Sequence, residues 1–295
     1  MTYHSSFRDY APTEEYVIPI GAVDCRLVTD GTRSWDDPAA TLFADVSDDE
    51  LAAALVRYGT DLDGWQRHET PCIALLVETG SDTVLIDTGL GDDSPDGGLL
   101  RTSLRRAGVE PPDIDVVVLT HAHPDQIGGA LTDGEPTFPN ARYAITHTER
   151  SFWLGDAPTH LPEHIDEEAA RMLARETILG LGNRLDVVET TAQIVPGVRL
   201  IPAGGHTPGH VAVRVDSGAE TLLYMADAVA HPVQFENPEW VAGLDNDEEH
   251  VIETRERLFA LAADNDWLVV CAGAPTARPG HVVHEGDAYR FIPQE

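Results

Sequence analysis

Apolar positions along the chain fall into two rhythms. Residues 72–89, CIALLVETGSDTVLIDTG, hold two apolar runs about a Gly-Ser-Asp turn and predict a β-hairpin. HVAVRV (210–215) and TLLYMAD (221–227) repeat the plan about a Ser-Gly turn. IDVVVLT (114–120) and WLVVCAG (267–273) are short and wholly apolar, as expected of strands buried on both faces. YVIPIGAVDCRLV (16–28), ARYAIT (141–146), pieces of 186–201 and HVVHE (281–285) complete the predicted strands, the last being the final one. A helical period covers 47–58, about 97–107, 147–154, 166–179 and about 246–264. Ser47 and Glu50 predict a capping box for the first, and Asp245 or Asn246 a cap for the last.

Each half of the chain gives a hairpin, a helix and a buried strand that ends in a polar loop. That repetition predicts an α+β fold of two sheets packed face to face with helices outside, a single domain of four layers. The domain is expected over residues 15–295, preceded by a flexible polar arm at 1–14. Loops such as 32–45 and 155–165 are expected to shape any pocket.

The richest polar loop is THAHPDQIGG, residues 120–129, directly after the buried strand 114–119. His121, His123 and Asp125 stand at i, i+2 and i+4, which on an extended segment turns all three to one side. Imidazole and carboxylate are ligands for zinc or non-haem iron. Gly128 and Gly129 allow a sharp turn behind them. GGHTPGH (204–210) adds His206 ahead of the second hairpin, and MADA (225–228) places Asp227 where an apolar strand ends. A metal site of His121, His123, His206 and Asp227 follows. A carboxylate at a strand end is also a common turn former or cap.

The order LIDTG, THxHxD…GG, GHTPGH and a late Asp resembles the metallo-β-lactamase fold over about residues 15–290. MADAVAHPVQFENPEW, followed by DNDEEHVIETRERLFALAA and a PGHV ending, is similar to the branch holding methyl-parathion hydrolase and the acyl-homoserine-lactone lactonases. The resemblance implies an αββα sandwich with metals in a cleft at the sheet edges. It also implies hydrolysis of lactones, thioesters, β-lactams or phosphoesters. It carries over onto Asp87, His121, His123, Asp125, His206 and Asp227.

Two departures qualify it. The family pattern is HxHxDH, and Gln126 stands at its last position; the family's late His falls on Gly273, within CAGAPTARPGHV. In the family those two histidines and the HxHxDH Asp bind a second metal, and the Asp in the place of Asp227 bridges both. Gln is a poor transition-metal ligand and Gly has no side chain, so one Zn²⁺ per chain is expected. Its bound water would have a pKa near ~7. Asp125, released from a second metal, would serve as base or orienter, and Gln126 as a neutral donor to an oxyanion, unless it is only a remnant. The expected reaction is hydrolysis of a small ester, lactone or phosphoester. Fe²⁺ on two histidines and Asp227 would instead give a dioxygenase resembling the persulfide dioxygenases, and a third alternative is an inactive binding homologue.

Other side chains keep more than one reading. His231 could line the pocket, replace a lost ligand, or simply pack. His210 is expected to donate a supporting hydrogen bond near His206. Trp65, Trp153, Phe235 and Trp240 could wall a pocket or belong to the core, while His147, His160, His164, His281 and His284 have no partner in the sequence.

Charge narrows the partners. Asp and Glu number 51 against 19 Lys plus Arg, all arginine, for a net charge of −32. That excludes the basic footprint a nucleic acid or an anionic membrane surface requires. The partner is expected to be a small-molecule substrate, with a homodimer compatible with related folds. The 42% hydrophobic content is enough for a core, so the dispersed acid reads as adaptation to high salt, with stability rising into molar KCl. Cys25, Cys72 and Cys271 are far apart and give neither a disulfide framework nor a thiolate zinc site. The first residues show no apolar leader, so a cytoplasmic location is expected.

Overall fold

The computed structural model describes residues 16–159, 161–162, 165–272 and 278–294. The expected arm at 1–14, His160, His164 and Gly273 lie outside these. The first half of the chain runs β1 (Tyr16–Ile20), β2 (Val23–Asp36), α1 (Pro38–Leu42), α2 (Asp48–Leu55), β3 (Arg67–Glu78), β4 (Thr83–Ile86), α3 (Leu100–Arg106) and β5 (Val116–Val118). It continues with α4 (Pro124–Ile127), a small hairpin β6 (Leu131–Thr132) and β7 (Glu135–Pro136), β8 (Arg142–Thr146), α5 (His147–Leu154), α6 (Glu167–Gly180) and β9 (Leu185–Val188). The second half is β10 (Gln193–Val195), β11 (Val198–Pro202), β12 (Val211–Ser217), β13 (Glu220–Tyr224), α7 (Glu248–Asp264), β14 (Leu268–Val270), β15 (Gly280–Glu285) and β16 (Ala288–Pro293).

Two mixed sheets result, ordered β1-β2-β3-β4-β5-β8-β9 and β10 through β16 in sequence. Alternation along each strand explains the layers. Leu75, Val77, Val84, Ile86, Val116 and Val118 face the second sheet and meet Val211, Val213, Val215, Leu222 and Val270. Their neighbours Leu76, Leu85, Val117 and Tyr143 point the other way, under Leu104, Trp153 and Ile178 of the helices. Leu223 and Val269 do the same under Leu258 and Phe259 of α7. Both faces of these strands are therefore dry, which is why β5 reads as an unbroken apolar run. The four-layer α+β sandwich stands as expected.

Four local expectations change. Residues 32–36 are not loop: β2 continues past a bulge at Thr29/Gly31 and pairs Thr32–Asp36 with Arg67–Pro71, and α1 follows. The polar alternation of TRSWD hid an extended edge of the cleft. The cap of α7 is Asp247, whose carboxylate accepts from His250 N, not Asp245 or Asn246. A further strand, β16, pairs antiparallel with β15 and ends the second sheet. Ser47 caps α2 by accepting from Glu50 N, but the expected box is not closed: the Glu50 carboxylate accepts from Ser47 Oγ instead of the Ser47 backbone N–H.

Candidate metal centre

β5 delivers the His loop to the sheet edge. Asp87, at the end of β4, receives Thr120 N at 2.8 Å and Thr120 Oγ1 at 3.0 and 2.9 Å on its two oxygens. Burial pushes the Asp87 carboxyl well above its ordinary value, against the opposing pull of the Thr120 donors. Asp87 anchors the loop from below and does not join the ligand cluster. The extended run ends at Pro124, the first residue of α4, so the i, i+2, i+4 expectation holds for His121 and His123 but not for Asp125.

His121 Nε2 and His123 Nδ1 lie 3.0 Å apart, and His123 Nδ1 and His206 Nε2 likewise 3.0 Å. Asp227 Oδ2 is 3.6 Å from Nε2 of both His121 and His206. All four donor atoms lie within 4.8 Å of one another. Burial, then the neighbouring imidazoles, hold His121 and His123 well below the usual histidine value. Burial alone would do the same to His206, but the hydrogen bond to Asp245 and the charge of Asp227 raise it. Burial pushes Asp227 up to about 7, against the attraction of His206. His206 Nδ1 is engaged by Asp245 at 2.9 Å, so its neutral form turns a lone pair inward. Converging ring nitrogens and a carboxylate are a donor set for a cation: these residues fit a transition metal.

Two buried acids missed in the sequence hold this set. Glu149, in the first turn of α5, accepts from Ala122 N (2.9 Å) and Trp153 Nε1 (2.7 Å) with one oxygen. With the other it accepts from Thr207 Oγ1 (2.7 Å) and Gly209 N (3.0 Å). It thereby ties the His121 loop to the His206 loop. A Cβ on Gly209 would sit 2.1 Å from Glu149 N, so this approach needs glycine. Asp245 joins His206 to the fully buried Arg255, at 2.7 Å from Nη2. Glu149 sits where a helix-capping acid is ordinary, and Asp245 lies in the acid-rich lead-in to α7. Neither position carries a distinguishing signal.

Other expected residues move. His210 packs edge-on against His206 and His121 but hydrogen-bonds neither ring; its Nδ1 is 2.7 Å from Ala203 O, and Asp227 N donates to its Nε2 at 3.4 Å. Asp125 pairs with Arg33 at 3.1 Å, and the Gln126 amide donates to Asp227 Oδ2 at 3.1 Å. His231 is no replacement ligand. It is buried among Phe43, Tyr58, Trp65 and His68 and accepts from Val233 N. Trp153 packs edge-on against His123, Phe235 stacks on Phe291, and Trp240 meets Phe43. His281 and His284 pair with Asp266 and Asp264.

The donors open on a cleft of about 780 Å³ whose described lining includes Arg33, Trp35, Leu42, Ile73, Leu161 and Leu244. Of the two readings of Trp65, Trp153, Phe235 and Trp240, pocket wall or core, the structure favours the core: none is among the described residues lining the cleft. His68 is, and burial pushes it down to about 4. Between pH 6.5 and 4 the unfolded chain therefore takes this proton first. Stability present above 6.5 is lost on acidification, by about 3 kcal/mol when complete. Urea unfolding of wild type and His68→Phe across that window measures it as the difference between the two curves, since the other buried histidines contribute to both.

Comparison with protein-family models matches residues 69–273 to the metallo-beta-lactamase superfamily. The chain belongs to this superfamily. It is 31% identical over 238 residues to a probable metallo-hydrolase of Mycobacterium tuberculosis, covering 69% of this chain and 74% of that one. An N-acyl homoserine lactonase of Bacillus thuringiensis is 26% identical over 196 residues, 59% of this chain and 70% of that one. Among solved structures, the beta-lactamase-superfamily hydrolase AbOPH superposes with a TM-score of 0.84 at 27% identity, covering 95% and 97% of the two chains. AidC, a dizinc quorum-quenching lactonase, superposes with 0.85 at 24% identity over 95% and 97%, a likeness of fold. The protein is a metallo-hydrolase of this superfamily, and no described helix is long and apolar enough to cross a membrane.

Proposed function

We propose that this metallo-hydrolase opens a small ester, lactone or phosphoester with one metal ion, held by His121, His123, His206 and Asp227. The observation that carries the reading is the convergence of these four donors, three of which (His123, His206 and Asp227) line an open cleft. The third imidazole favours zinc over the two-histidine, one-carboxylate pattern of iron oxygenases. The two carboxylates a second metal would use are engaged by N–H donors instead, Asp125 by Arg33 and Asp227 by Gln126. An acid-rich chain without lysine keeps a high-salt setting in this reading.

Zinc at these donors supplies a Lewis acid and a water activated near neutral pH. Asp125 Oδ1 lies on Arg33, leaving Oδ2 to take a proton from attacking water. Gln126 Nε2 spends one hydrogen on Asp227; the second is available to the oxygen that gains charge in the transition state. The test is a panel of p-nitrophenyl hexanoate, a γ-lactone and a phosphodiester, before and after chelation and with zinc restored. Chelation is expected to abolish turnover and zinc to restore it; turnover indifferent to chelator, or restored only by iron with uptake of O₂, contradicts the proposal. Gln126→Ala is expected to lower kcat about 10²-fold if it is an oxyanion donor. Unchanged kcat rejects that role.

A further inference from the structure

The proposed chemistry leaves one cation in the cleft without a task beyond holding Asp125. Arg33 lies on the β2 extension, opposite Thr70 of β3. Its Nη1 is 3.1 Å from Asp125 Oδ1, and its guanidinium carbon is 4.0 Å from the centre of the Trp35 ring. Stacking on one side and an ion pair at one nitrogen fix the plane of the group. Its side chain is still 24% exposed, and it lines the same cleft as His123, Asp125, His206 and Asp227. No other arginine is among the described residues that line that cleft.

A guanidinium carries five N–H donors in a fixed fork, and among the described contacts the one to Asp125 is its only ion pair. The residue itself lines the cavity. With a divalent ion at the four donors, the ion and Arg33 together carry three positive charges against the two negative charges of Asp125 and Asp227, an excess of one. In a chain of net charge −32, a cation retained inside the cleft is a local exception that favours an anionic ligand. Leu42, Ile73 and Leu161 supply an apolar wall to the same space.

We propose that Arg33 determines specificity by receiving a carboxylate or phosphate that the substrate carries beside the bond to be cut, with the substrate's apolar part against Leu42, Ile73 and Leu161. This rests on the hydrolase reading, but binding tests it without turnover. The protein as isolated is titrated calorimetrically with hexanoate, hexyl phosphate and uncharged hexanamide, alongside Arg33→Met and Arg33→Lys at equal measured metal content. Wild type is expected to bind at least one anion about ten-fold or more tighter than hexanamide, and the tighter anion names the group. Arg33→Met loses that margin. Arg33→Lys, which keeps the charge but not the fork, retains part of it. No margin in wild type, or an undiminished margin in Arg33→Met, overturns the proposal. Should Arg33→Met fail to fold, an undiminished margin in Arg33→Lys does so. Zinc-dependent ester turnover with no anion margin ends this proposal and leaves the hydrolase reading standing; an Arg33-dependent margin without turnover of any substrate does the reverse.

Discussion

Glu149→Ala is expected to cost several kcal/mol of stability and the metal with it. The carboxylate is wholly buried and receives four donors from both ligand loops and from Trp153. Truncation leaves those N–H and O–H groups unpaired in a dry layer, at about 1–3 kcal/mol each before relaxation. Even a partial loss, on the order of 4 kcal/mol, is a large share of the roughly 5–15 kcal/mol that keeps a domain folded. Glu149→Gln keeps the shape but turns an amide N–H toward one pair of donors, so a smaller loss is expected. Urea unfolding with metal analysis of the folded fraction ranks the three proteins. A Glu149→Ala protein as stable as wild type would contradict the account of how the loops are joined.

The second large effect is at Asp245. Its two oxygens serve His206 Nδ1 and Arg255 Nη2, and it also accepts from Ala242 N at 2.9 Å. Arg255 is completely buried, so Asp245→Ala leaves an uncompensated charge in the interior, a loss of about 3–5 kcal/mol. The tautomer of His206 is also released, since the carboxylate is what fixes its inward lone pair. Asp245→Asn preserves the volume and separates the effects: metal affinity is expected to fall about 10–100-fold even where the chain still folds. Zinc competition against a chromophoric chelator measures the first term, and thermal unfolding the second. Equal zinc affinity in Asp245→Asn and wild type would remove the orienting role.

These residues also mark where sequence reading stops. His121, His123, His206 and Asp227 could be read because each ends or follows an apolar strand and the four together make a ligand set, although a strand-end carboxylate alone is an ordinary turn former. The sheets could be read because period-two patterns and short dry runs are local properties. Glu149 and Asp245 could not, since an acid at a helix start is commonplace and, Trp153 apart, the partners of Glu149 lie 27–60 residues away, as the His206 partner of Asp245 lies 39 away. Arg33 was hidden for another reason. Beyond the bulge at Gly31 the strand faces the cleft and alternates polar residues, so its pattern is that of a loop. The fate of Asp125 turned on Pro124, which starts a helical turn and carries the carboxylate toward Arg33.

The central claim is that four side chains clasp a single ion while Arg33 and Gln126 occupy the carboxylates a second would need. Elemental analysis of the purified, dialysed protein, with anomalous scattering from its crystals, tests this most directly. The account predicts one zinc per chain, at the meeting point of His121, His123, His206 and Asp227. Two fully occupied ions side by side, or an ion held elsewhere, would contradict it.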